Sequence, residues 1–220
     1  MQVLFIKNQH AMKIINFLLT LTLIFFVINS PILANEDAEK VAFVIDNAQS
    51  SMSIQGGSNV RSWDADVTEI NALISAEVAA LLTLDAERNG VLSLSEFRVP
   101  VKKISSNNNT LTRNIHKYLK ESDHPEIFFS LGEATVKPSS NGNSNEFEVT
   151  TIGVINAAGA DKEVVFNING TVKEDGTIIL AGVSEMAFSD FNLDRPSAML
   201  GTVRANDEIE VHFNLVLVRK

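Results

Sequence analysis

The chain has 220 residues, with 27 acidic and 18 basic side chains, a formal net charge of −9 and no cysteine. The missing cysteine excludes a disulfide framework, a Cys-ligated zinc site, a thiol nucleophile and a lipid-modified N-terminal Cys. At this length one domain is the ordinary expectation, and two small ones are the upper bound.

The first element in chain order is Ile14 to Ile28, in which twelve of 15 residues are apolar and none is charged. Lys13 precedes it, Asn29-Ser30-Pro31 breaks it, and Ala34 offers a small residue before the acidic stretch Asn35 to Glu39. A basic start, an apolar middle and a small-residue cleavage site describe a secretory signal peptide. Residues 1–34 are assigned to it, with cleavage after Ala34. Met12-Lys13 is an ordinary signal start, so residues 1 to 11 read as an upstream extension. The rival reading is an uncleaved membrane anchor, since Ile14 to Ala34 is just long enough to span a bilayer; Pro31 and Ala34 favour cleavage. Residues 35–40 are then a short linker and 41–220 a single folded domain, periplasmic or secreted. Without residues 1–34 the chain keeps 186 residues and a formal charge of −11. Such a surface repels phosphate backbones, which argues against nucleic acid as a partner. No other segment is apolar and long enough to span a membrane as a helix. Lacking staples, the domain relies on one large core.

Period-2 alternation dominates residues 41–220. Strand candidates run over Val41–Asp46, Ser51–Gly56, Asn71–Leu81, Val91–Ile104, Ile127–Val136, Glu146–Ile155, Val164–Val172, Ile178–Ser189 and Glu208–Val218. The last is clearest, with Ile209, Val211, Phe213, Leu215 and Leu217 on one face. Turn signals separate many of them: Gly56-Gly57, Asn89-Gly90, Pro138 to Asn145, Ala158-Gly159, Asp175-Gly176 and Asn206-Asp207. One segment argues for helix, Thr110 to Lys120, where Leu111, Ile115 and Leu119 form a 3.6-residue stripe with Thr110 or Asn109 as N-cap. Many short strands, one helix and no βαβ rhythm point to an all-β antiparallel barrel or sandwich.

Chemistry-bearing motifs are few. Asp85 to Glu96 (DAERNGVLSLSE) matches a calcium-binding EF-hand loop almost position for position. Against it stand Glu87 at the third position, Pro100 in the would-be exit helix and the strand-like run around it; the competing reading is a hairpin turn. His10, His116, His124 and His212 have no metal-site spacing. No GxSxG or Ser-x-x-Lys element is present. No catalytic residue is therefore assigned, and an enzyme survives only as a hydrolase with a scattered triad.

Thr110-Leu-Thr-Arg-Asn-Ile-His-Lys-Tyr-Leu119, followed by His124-Pro-Glu-Ile-Phe-Phe-Ser130, resembles the helix-plus-strand segment of the YceI-like, polyisoprenoid-binding family. Ile155 to Phe166, Phe188-Ser-Asp-Phe191, Ala198 to Val203 with Asn206 to Val211, and Ser51 to Trp63 resemble further family elements in the same order. The resemblance runs over about residues 41 to 218. Three positions depart from it: Arg61 stands where one branch often has His, Asn114 replaces the acid of Arg-Asp, and Asn192 replaces the Gly after Asp-Phe.

The resemblance implies an eight-stranded, lipocalin-like antiparallel barrel with its helix near the mouth. It implies an exported, non-catalytic binder of an isoprenoid quinone, prenyl alcohol or similar long-chain lipid, with no other cofactor. The EF-hand lookalike becomes the turn between two long strands. Eight strands enclose room for packed side chains or one small ligand. The nine Phe after Ala34, against one Trp and one Tyr, suit an oily interior that selects by shape. At spacing two, Phe129 and Leu131, Phe166 and Ile168, Met186 and Phe188, and Phe213 and Leu215 are the candidate lining residues. Arg113 and His116, on the helix, are candidates for meeting a polar head group; the competing reading makes them solvated helix residues. Oligomeric state stays open.

Overall fold

The computed structural model describes residues 39–198 and 202–220. The signal peptide, its cleavage site and positions 199–201 of the closing motif lie outside the described residues.

Among the described residues thirteen strands form one antiparallel sheet system. In chain order they are β1 (Val41–Ile45), β2 (Ser51–Ser58), β3 (Trp63–Val67), β4 (Asn71–Ala76), β5 (Arg88–Asn89), β6 (Leu92–Pro100), β7 (Ile104–Ser105), β8 (Glu126–Pro138), β9 (Glu146–Ala157), β10 (Ala160–Val172), β11 (Ile178–Ala187), β12 (Ser197–Ala198) and β13 (Val203–Arg219). Helix α1 (Val78–Leu82) lies between β4 and β5, and α2 (Asn109–Tyr118) between β7 and β8. The order β1-β4-β6-β8-β9-β10-β11-β13 returns to β1, so eight strands close into a barrel. Closure leaves the main ring without an unpaired edge.

The first three staves each come in two pieces. β2 continues β1 along β13, β3 continues β4, and β7 continues β6. Side chains stitch the breaks together. The Asp46 carboxylate accepts from the Ala48 N–H (2.9 Å) and from Gln49 (2.6 Å). The Asn47 amide replaces a strand partner, donating to the Ile70 carbonyl (3.0 Å) and accepting from the Ile70 N–H (2.8 Å). Thr68 and Glu69 bind the Lys103 backbone and ammonium from the other side. These bonds pair backbone groups of Ala48, Ile70 and Lys103 at the interruptions of the ladder.

The sheet differs from the sequence expectation at three places. Trp63–Val67 is a strand that the alternation of Asp64 and Asp66 with apolar residues conceals, because Asp has low strand propensity. Val78–Leu82 is helix where the strand candidate ran to Leu81; alanines favour helix, but five residues are too few to display its period. The cap of α2 is Asn108, whose Oδ1 accepts from the N–H groups of Thr110 (2.9 Å) and Leu111 (3.2 Å).

One end of the barrel is filled solid. Phe43, Val136, Phe147, Ile178 and Leu217 are 0–1% exposed there, and α1 adds buried Ala80 and Leu81. The Phe147 ring lies over Gly170 of the paired strand, where a Cβ would come within 2.1 Å of it. At the other end, α2 and the 3-10 turn Phe188–Phe191 sit over the opening, with Ile155, Ala157, Ala158, Phe191 and Leu193 forming a second small core. Ala158-Gly159, at φ 52° and 83°, makes the two-residue β9–β10 hairpin at this end.

Candidate ligand cavity

Between the solid floor and the covered mouth the barrel is hollow. A cavity of about 250 Å³ runs along its axis, and Ser93 and Thr151 are the only polar residues in its lining. Strand alternation builds it. Phe129 and Leu131 enter from β8, Phe166 and Ile168 from β10, Met186 from β11, Phe188 from the 3-10 turn, and Phe213 and Leu215 from β13. All eight apolar candidates therefore line one cavity. All of them except the buried Leu215 keep some accessible surface, because they border the empty lumen.

Four phenylalanines form a belt around the lumen. Phe97 and Phe129 meet edge to face at 6.2 Å, Phe129 and Phe166 at 5.3 Å, and Phe166 and Phe213 at 6.3 Å. These are favourable aromatic geometries. Glycines let the rings lie against the wall. A Cβ on Gly153 would stand 2.5 Å from the Phe129 ring, and one on Gly182 would stand 2.7 Å from Phe213. With side chains at those positions the rings would be pushed toward the axis and the lumen would narrow. Phe97 and the two glycines are features that spacing alone did not single out; the signal available was an inward Gly opposite an inward Phe.

Thr151 holds the one buried side-chain polar atom, among the described residues, that lacks a hydrogen-bond partner. Its hydroxyl is covered, so the cavity surface itself stays apolar.

A second cavity of about 250 Å³ lies at the mouth and shares Ile54, Leu119, Phe188, Leu193 and Ile209 with the first. Here the wall stays mostly apolar but gains polar side chains: Ser58 and Arg61 come from the β2–β3 hairpin, Asn108 from the cap of α2, Asn114 and Tyr118 from α2 itself, and Ser197 from β12. The single Trp and single Tyr of the chain both line it. The Tyr118 hydroxyl accepts from the Ser197 N–H at 3.3 Å, and the Trp63 indole donates to the Gly57 carbonyl at 3.2 Å.

Arg113 and His116 line neither cavity. Arg113 is exposed and donates to Thr110 Oγ1 at 3.1 Å. His116 Nε2 donates to the Ile104 carbonyl at 2.8 Å, and its Nδ1 lies 3.2 Å from Glu121. The reason is helical phase: Leu111, Asn114, Ile115 and Tyr118 occupy the cavity face of α2, and positions 113 and 116 point elsewhere. The polar groups that do meet at the mouth include Arg61 and Asn114, two positions at which the sequence departs from the family pattern. Those departures were the available signal.

One ion pair positions the mouth cover. Asp190 takes Lys162 Nζ (2.5 Å) and the Ala187 N–H (2.9 Å), and the Lys162 bond chiefly holds its carboxyl below the usual range. This fixes the turn carrying Phe188 and Phe191. Asn192 closes that turn in the left-handed conformation at φ 52°, which explains how it stands where the family has Gly: Asn is among the few non-glycine residues that visit this region readily.

The EF-hand-like loop does not close around a cation site. Arg88 and Asn89 form β5 on the β8 edge, the Asn89 amide engages Thr135 and Glu133, and Glu96 is a β6 residue ion-paired with Arg98. A strand, not a helix, leaves the loop. Among the described residues no three His, Asp or Glu side chains gather as a metal site.

No protein-family model and no curated protein matches the sequence. Solved structures do match. BcnA of Burkholderia cenocepacia superposes with a TM-score of 0.57 at 18% identity, over 78% of this chain and 98% of that one. A polyisoprenoid-binding domain from Saccharophagus degradans, implicated in plant cell wall breakdown, also reaches 0.57, at 11% identity over 82% and 99% of the two chains. The fold is YceI-like. The lipocalin-like barrel that the sequence resemblance implies is thus the observed architecture.

Proposed function

We propose that the protein is an exported, non-catalytic binder or carrier of an isoprenoid or related long-chain lipid. The observation that carries this reading is one apolar barrel cavity, bordered by four phenylalanines, next to a mouth cavity that carries polar side chains and shares five lining residues with it. An elongated ligand with an apolar tail and a polar head fits that division. Each tail carbon group moved from water into the lumen contributes roughly 0.8 kcal/mol gross, much of it offset by ordering the chain. The absence of exposed polar atoms in the lining gives the tail no hydrogen-bond readout, so discrimination there is by shape. At the mouth, Arg61, Asn114 and Tyr118 offer donors to a quinone carbonyl, a prenyl hydroxyl or a comparable head.

The polyisoprenoid ligand of the Saccharophagus degradans domain supports the same choice of tail chemistry. The apolar segment Ile14 to Ile28 supports export to the periplasm or the medium. The experiment is native mass spectrometry of protein purified from its own host, followed by exposure to prenyl quinones and prenyl alcohols. A bound mass or stoichiometric uptake is expected. A protein that is empty and refuses both ligand classes contradicts the reading.

A further inference from the structure

The lumen has a closed end, and its depth is fixed strand by strand. On β13 the lining residue Leu215 is followed two positions on by Leu217; on β11 Leu180 is preceded by Ile178, and on β9 Val149 is preceded by Phe147. Each step of two moves one layer along the barrel on the same face. Leu215 and Leu180 are cross-strand partners, and so are Leu217 and Ile178, so the lining layer and the floor layer lie in register. Leu217, Ile178 and Phe147 are 0–1% exposed. The lumen thus stops within one layer, against close-packed side chains.

Volume sets how much chain fits above that end. An apolar cavity of about 150 Å³ holds benzene, six carbons. On this scale the lumen, about 250 Å³, takes roughly ten carbons, or two isoprene units. The mouth cavity has the same volume and takes roughly two units more. The five side chains that border both cavities, Ile54, Leu119, Phe188, Leu193 and Ile209, are all apolar, so a chain passing between them meets no polar side chain there. Arg61, Asn114 and Tyr118 belong to the mouth cavity alone.

We infer that the protein selects its lipid by length: the tail end rests on the floor, and the two cavities accept up to about four isoprene units, or twenty carbons. This deepens the carrier reading and rests on it. A chain of eight units carries about twice what the two cavities hold, so about half of it stays in water. In a micelle or bilayer those carbons are shielded, and withdrawing them gives back the burial gained in the lumen. A chain of four units leaves little but its head exposed. A chain of two units leaves a cavity's worth of apolar wall unfilled. Affinity therefore peaks near four units instead of growing with every unit added.

The test is native mass spectrometry of host-purified, delipidated protein offered equimolar prenyl alcohols of two, three, four and eight isoprene units in one detergent solution. Capture of the four-unit alcohol is expected to exceed that of both the two-unit and the eight-unit alcohol at least about tenfold. Ala134 lines the lumen two positions before the floor residue Val136, so it tunes the depth. Ala134→Leu adds three carbons to the wall and is expected to shift the preference from four units to three. The wild-type series decides the limit on its own should that variant fail to fold. Equal or stronger capture of the eight-unit alcohol, or an unmoved preference in folded Ala134→Leu, overturns the length limit and leaves the carrier reading standing. Capture of no alcohol at any length by folded wild-type protein overturns both.

Discussion

The floor and the mouth of the barrel are made from the same staves and use them in opposite ways. At the floor, Phe43, Phe147, Ile178 and Leu217 interlock at 0–1% exposure, and α1 seals them. Toward the mouth, Phe97, Phe129, Phe166 and Phe213 remain partly accessible, and Gly153 and Gly182 let the Phe129 and Phe213 rings lie along the wall. The same residue type is a filler at one end and a lining at the other. What differs is whether opposing side chains reach across the axis. Stability should therefore be concentrated at the floor and ligand capacity at the mouth, and substitutions can separate the two.

The largest expected effect on stability is at the floor. Phe147→Ala should cost about 3–5 kcal/mol in denaturant unfolding, the range for emptying a fully packed aromatic site. Gly170→Ala, on the strand beside it, should cost about 1–3 kcal/mol, because the new methyl meets the Phe147 ring and that ring has no room to retreat. In the hollow region Phe166→Ala should cost less, about 1–2 kcal/mol, since its ring is only half buried in the empty barrel. The same variant should lose ligand retention in native mass spectrometry more than the floor variants do. Equal costs for Phe147→Ala and Phe166→Ala would dissolve the distinction between the two ends.

Smaller effects sharpen it. Thr151→Val removes the unpartnered buried hydroxyl with little change of shape and should stabilise the empty protein by about 1 kcal/mol. Acid should loosen the turn that Asp190 holds at the mouth. Asp190 titrates below its ordinary value in the folded chain, so its contribution is present above the unfolded carboxylate pKa, near about 4, and is lost as pH falls through the lowered folded value. At the floor end Glu148 is held to about 2, mainly by the Ser140 N–H and then by Lys137. Hydrogen exchange should therefore rise around Phe188–Phe191 as pH drops below about 4, and Asp190→Asn should abolish that pH step. An unchanged rise in Asp190→Asn would contradict the role given to this ion pair.

Much of this architecture was legible in the sequence, for physical reasons that differ by element. The alternation in Glu208–Val218 is strong because one face of β13 meets the lumen and the other meets water, so period two is written directly into the residues. Ala158-Gly159 and Asp175-Gly176 marked hairpins because each supplies a residue for positive φ, at Gly159 and Gly176. Seven of the eight lining residues follow from the same alternation in their strands, and Phe188 enters from the 3-10 turn just beyond β11. Other features depend on partners far away in the chain and leave no local trace. The Asn47–Ile70 stitch joins residues 23 apart, and the Phe belt draws one ring from each of four strands. Arg61 and Asn114 come from a hairpin and a helix that only the closed barrel brings together, so the local sequence of α2 points to Arg113 and His116 instead.

The central claim is that the hollow half of the barrel holds the tail of a lipid whose head lies at the mouth. Trp63, the chain's single Trp, lines that mouth cavity and reports on it directly. Titration of delipidated protein with a prenyl quinone, followed through Trp63 emission, should give saturable quenching at one ligand per chain, and the lumen-filling substitution Ala134→Phe should weaken it at least about tenfold. Emission that does not respond, or quenching that is linear in quinone and indifferent to Ala134→Phe, would contradict the account.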